Sequence, residues 1–167
     1  MKANGFVAAL LLFCVGCTSQ PSDQLTQQQK DQIKHEVKAV CDTVWAKMER
    51  LDVKGCMQYF WDSPEFVAFF PDGSRMDFQA FKKMNLDFPD SASAVKLAPV
   101  REDLFVLAKD VVVYAWHGKS ELHFKSGAKM MFDPDAETFV FKKIAGEWKI
   151  VYVQESATIT TQKPVKK

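Results

Sequence analysis

The sequence predicts an α+β domain in which a long helix lies across a curved antiparallel sheet. Two observations carry this reading. Apolar residues recur at helical spacing from Gln24 to about Arg50, and after Ser91 the pattern turns to alternating strands that run almost to the end. A helix of that length can bury its apolar stripe only against the sheet.

The helical stripe consists of Ile33, Val37, Val40, Cys41, Val44, Met48 and Leu51, widened by Trp45. Lys34, Glu36, Lys38, Asp42 and Lys47 fill the other face, too polar for a membrane segment. A short second helix is expected from about Val53 to Phe60. Pro64 ends it, Glu65 to Phe70 reads as a strand, and Asp72-Gly73 is a hairpin turn. Asp77 is the expected N-cap of a third helix, from Phe78 to about Leu86, stopping before Pro89. Four long strands follow. Pro99 marks an edge or bulge in the first of these. Ser126-Gly127 and Ala145-Gly146 make turns, and Asp133-Pro134 interrupts the third strand as a bulge or bend. The tail from Thr161, "TQKPVKK", is expected to fray.

Composition excludes some classes of function. The 167 residues are 47% apolar with 14 Phe, ample for a packed core. The formal net charge is +1, and without the first sixteen residues 21 basic side chains face 21 acidic ones. A balanced chain with no basic stripe lacks the electrostatic footprint of a nucleic-acid binder.

The N-terminus suggests an address. Lys2 precedes the apolar run Phe6 to Gly16, which is shorter than the roughly 20 residues needed to span a bilayer but of secretory-signal length. It ends in "CVGC", which resembles a bacterial lipobox although Cys14 stands where an aliphatic residue is usual. The alternative is an ordinary secretory signal cut elsewhere. The lipobox resemblance implies residues 1–16 as a lipoprotein-type signal peptide, Cys17 as the lipidated residue and 17–25 as a polar tether. A domain over 26–158 and a flexible tail over 159–167 complete the organisation. Thr18 after the Cys favours an outer-membrane lipoprotein facing the periplasm. The membrane is then met through the lipid anchor only. Cys41 and Cys56 remain in that oxidising compartment, and the sequence leaves open whether they are bridged.

The element order, with "DSPEFVAFFPDG", "KDVVVYAWHG" and above all "TFVFKKIAGEWKIVYVQES", resembles the nuclear transport factor 2-like superfamily, in its SnoaL-like branch. The likeness spans about Gln24 to Ala157. It implies a cone: a bent antiparallel sheet wrapped around the long helix and two short ones, with a pocket between. It also implies a homodimer through the outer sheet face. The superfamily hosts isomerases, dehydratases and cyclases beside pocketed proteins without chemistry, so the fold does not decide function.

Strand periodicity puts Trp148, Ile150, Tyr152, Gln154 and Ser156 on one face of the last strand, and Lys149, Val151, Val153 and Glu155 on the other. The first face matches the concave side of the resemblance. There Tyr152 and Gln154 stand where relatives often carry His, which removes the usual near-neutral acid or base. Both can still hydrogen-bond a ligand or satisfy buried polar groups. The pocket residues expected are Trp45, Tyr59, Tyr114, Trp116, Tyr152 and Gln154, because Tyr and Trp pair an apolar body with a polar handle. Asp133 and Asp135 read as a solvated bend. His117, Lys119, Glu121 and His123 alternate along one strand face and diverge too much for a metal site. No metal, no cofactor and no catalytic residue is assigned. The expected function is binding of a small, largely apolar ligand without catalysis. The alternatives are an isomerase or hydrolyase using Tyr152 or Tyr59 with Asp62, and a protein-interaction or structural module with a filled pocket.

Overall fold

The computed structural model describes residues 24–164. The expected signal peptide, Cys17 and most of the tether lie outside the described residues. Helix α1 spans Gln27–Glu49. It starts on a reciprocal capping box: the Thr26 hydroxyl accepts from the Gln29 amide, and the Gln29 side chain accepts from the Thr26 amide at 2.8 Å. Ile33, Val37, Cys41 and Val44 form its buried stripe. After Leu51, at a φ of 57°, Asp52 caps α2 (Val53–Met57) by accepting from the Gly55 amide.

Next come the short strands β1 (Val67–Phe69) and β2 (Arg75–Met76), then α3 (Phe78–Ser91), capped by Asp77. The third helix does not stop before Pro89 as expected. Its last turn passes through the proline, and Lys125 supplies what a backbone donor cannot, donating to the carbonyls of Pro89 and Asp90 at 3.0 Å.

The four long strands are β3 (Ala92–Ala108), β4 (Val111–Phe124), β5 (Lys129–Ile144) and β6 (Glu147–Gln162). They pair antiparallel in the order β3-β4-β5-β6, and β1 then adds in parallel to β6, so the six-stranded sheet is mixed rather than purely antiparallel. The tail expected to fray at Thr161 is held in this ladder: Thr161 pairs with Met130 and Gln162 with Lys129.

Bulges bend the sheet. Register shifts fall between Pro99 and Arg101 on β3, Gly118 and Ser120 on β4, and Phe132 and Asp135 on β5. These shifts line up across three adjacent strands, so the far half of the sheet folds up over the helices. Gly118 sits in the crease, where an added Cβ would come within 2.4 Å of the Ala98 carbonyl oxygen. Pro99 is both on the edge strand and at a bulge.

Polar contacts fix α1 across the concave face. Glu36 accepts from the Trp148 indole and from Lys143, both at 2.9 Å, and is held at a pKa of about 2 by those hydrogen bonds. Lys38 pairs with Glu102 on β3 at 3.1 Å. Glu36 and Lys38, read from the sequence as outer-face residues, thus flank the stripe and tie it to the sheet.

Candidate functional site

Between α1, α2, α3 and the creased sheet lies a cavity of about 540 Å³. The helices contribute Val44, Trp45, Cys56, Phe81 and Phe88, the segment after α2 adds Phe60, and the sheet contributes Leu97, Leu122, Phe132, Phe139 and Val153. That volume and apolar lining suit a small organic molecule.

One end of the cavity is acidic. Glu137 on β5 and Glu155 on β6 are directly paired across the ladder and both line the cavity, beside Ser120 from β4. Asp135, two residues before Glu137 on the same face, is only 1% exposed. Its Oδ2 accepts from the Ser120 hydroxyl at 2.6 Å, while its Oδ1 has no partner. Burial raises all three acids, and neighbouring carboxylates add to the shift at Glu137 and Glu155. Glu155 is pushed up to about 7, Glu137 lies well above the usual 4.5, and Asp135 is raised although Ser120 partly opposes the shift. Among the described residues, no Lys, Arg or His lines the cavity. None of their His, Cys, Asp and Glu side chains gather into a group of three or more able to hold a metal ion.

Solved structures share this architecture. A nuclear transport factor 2-like superfamily protein from Salmonella enterica serovar Typhimurium superimposes with a TM-score of 0.67 at 18% identity, over 82% of this chain and 94% of that one. The hexachlorocyclohexane dehydrochlorinase LinA-type3 from Novosphingobium barchaimii gives 0.65 at 8% identity, over 84% and 97%. The association domain of C. elegans CaMKII gives 0.60 at 17% identity, over 78% and 99%. The chain has the nuclear transport factor 2-like fold. No model of a protein family matches the sequence, and no curated protein matches it.

Within this nuclear transport factor 2-like cone, the residues expected to line the pocket fall into three groups. Trp45 lines the cavity, its ring 5.3 Å from that of Phe139. Tyr114 and Trp116 lie behind it in the core. The Tyr114 hydroxyl accepts from the Trp45 indole at 3.0 Å and donates to Glu102 at 2.6 Å, so it positions Trp45 and does not face the cavity. Tyr59 packs partly buried against the core, away from the cavity lining.

Tyr152 and Gln154 are a correction. They lie on the outer face, bonded to each other at 3.2 Å, with Tyr152 beside Phe69. The cause is one extra residue. Val140 pairs with Tyr152 and Phe141 with Ile150, which leaves Val151 unpaired in a bulge. Strand alternation therefore flips after Ile150, and Val153 and Glu155 point inward instead. The bend at Asp133-Pro134 has the same effect on β5: it turns Asp135 and Glu137 to the concave side, so Asp135 is buried rather than solvated.

Asp62 is exposed in an open groove on the helical side, accepting from Gln79 at 3.2 Å, and does not meet Tyr59 or Tyr152 at the cavity. Cys41 and Cys56 are buried free thiols, and burial pushes Cys56 up to about 12. Burial of that kind makes a thiol unreactive.

Proposed function

We propose that the chain is a pocketed binding domain that holds a small, largely apolar ligand in the Trp45–Phe139 cavity without turning it over. The observation that supports this best is the apolar cavity of about 540 Å³, which a filled structural module would lack. The test is mass spectrometry of compounds released from protein purified out of its own envelope, with calorimetric titration of the neutral apolar probe tryptophol. A reproducible bound compound, or saturable tryptophol binding, supports the reading. An empty protein that also rejects tryptophol contradicts it.

A second reading is favoured by Glu155. A carboxyl that titrates near neutrality inside an apolar cavity suits general acid–base work. An isomerase or hydrolyase on this scaffold would use Glu155 and Glu137, not the Tyr and Asp the sequence suggested. The dehydrochlorinase among the similar structures is an enzyme on the same fold, and fold alone does not transfer activity.

The proposal extends to assembly and address. Phe105, Val113, Val140, Tyr152 and Val67 pair in register across the outer face of the sheet, an apolar row that suits a homodimer. The signal and Cys17 suit a lipid-anchored place in the bacterial envelope, facing the periplasm from the outer membrane. Replacing Cys17 with Ser, followed by labelling with radioactive palmitate, tests the anchor: label must disappear with the thiol.

A further inference from the structure

The acid end of the cavity carries more charge than a wall for an apolar ligand needs. Glu137 and Glu155 face one another across neighbouring strands, where opposite Cβ atoms stand about 5 Å apart. Asp135 adds a third carboxyl with an oxygen that nothing satisfies. Burying such a group without a partner is costly. Elsewhere the chain avoids that cost: partly buried Glu36 has Lys143 at 2.9 Å, and Glu102 has Lys38 at 3.1 Å. At the cavity no basic side chain among the described residues is supplied.

We infer that the ligand carries a protonated amine on an apolar body, with the ammonium seated on the Glu137–Glu155 pair and the body lying against Trp45, Phe88 and Phe139. This rests on the binding reading above and names the ligand's class. An ammonium brings the missing donors and the missing charge together, and its hydrogen bonds to carboxylates are the strong kind. Ser120 also lines the cavity, with its hydroxyl donating to Asp135 behind it.

Proton exchange follows from the surroundings. Glu137 is faced by Asp135 on its own strand, Glu155 on β6 and the Cys56 thiol on α2. Glu155 also feels Asp72 from the β1–β2 turn, and Asp87 on α3 lines the cavity with Lys83 as its own partner. His117 lies near enough to Asp135 to act on it. Without a ligand, the pair retains a proton to neutrality. When R–NH3+ enters, that proton leaves to solvent and the carboxylate takes its place beside the ammonium.

The experiment is calorimetric titration of the full chain at about pH 7 with three probes of one shape: tryptamine, tryptophol and indole-3-acetate. Tryptamine is expected to bind roughly tenfold tighter than tryptophol or better, with indole-3-acetate weakest. Its heat should depend on the ionisation enthalpy of the buffer, showing proton release. Glu137→Gln should bring tryptamine and tryptophol within about twofold of each other. If that variant does not fold, Glu155→Gln makes the same test. Tryptophol or indole-3-acetate binding as tightly as tryptamine to the unmodified chain overturns the amine and leaves the binding domain standing. Failure of all three to bind overturns both.

Discussion

Glu137 on β5 and Glu155 on β6 stand opposite each other on the concave side of the sheet, two carboxyls lining a largely apolar cavity. Burial is the main cause that raises both; Asp135 adds to the shift at each, and Glu155 adds to it at Glu137. The unliganded fold therefore holds protons that the unfolded chain releases at about 4.5.

This fixes the sign of one pH dependence. Stabilisation by a raised carboxyl is complete below its unfolded pKa and fades as pH rises through its folded pKa, here about 7 for Glu155. The unliganded protein should be less stable at about pH 8 than at about pH 5 by roughly 2 kcal/mol, or several degrees in Tm. Glu137→Gln should flatten that slope and raise Tm at the alkaline end only. Thermal denaturation followed by circular dichroism at the two pH values measures both.

Glu36 works in the opposite direction. The hydrogen bonds from Trp148 and Lys143 hold its carboxyl at about 2, so its contribution is present above about 4.5 and is lost as pH falls toward 2. The side chain is about a third exposed, so solvent screening leaves a contribution of about 1 kcal/mol. Urea denaturation of Glu36→Gln should show that loss near neutrality and almost none at about pH 2.

The inward turn of β6 rests on Val151. Single cysteines at 152 and 154 should react with a thiol reagent in the folded protein if the apolar outer face is accessible, while a cysteine at 153 should be protected. Cys41 and Cys56 are buried and add little background. Rates follow from stopped labelling and mass spectrometry. Protection at 152 and 154 with reactivity at 153 would restore the unbulged pattern and move Glu155 out of the cavity.

Much of the scaffold was legible because it rests on local rules. The three- and four-residue recurrence of Ile33, Val37, Cys41 and Val44 marks the helix. Asp77 announces α3, and Ala145-Gly146, with φ of 51° and 88°, announces the β5–β6 turn. The cavity's chemistry was not legible, because period two is reliable only until a strand gains a residue. Asp133-Pro134 did signal a bend, but the sequence does not say which face Asp135 and Glu137 take beyond it. At Val151 there is no Gly or Pro to mark the bulge at all. Glu137 and Glu155 both lie just past such a shift. Pro89 was misleading for a different reason: Lys125, distant in sequence, caps the Pro89 and Asp90 carbonyls at the end of the helix.

The outer face offers a further prediction. Val140 sits mid-row between Val113 and Tyr152. Val140→Arg should convert a homodimer to a monomer in light scattering at micromolar concentration, with the circular dichroism spectrum unchanged. A monomeric unsubstituted chain would remove the dimer.

The most direct measurement is a carbon-13 NMR titration of glutamate side-chain carboxyls, with Glu137→Gln and Glu155→Gln to assign the pair. Because the two sites are coupled, the titration belongs to the pair, not to either residue alone. The structure predicts that at least one step falls at about pH 7 or above. Two ordinary titrations near 4.5 would show that both carboxyls are well hydrated, and the account of buried acids in a largely apolar cavity would be wrong.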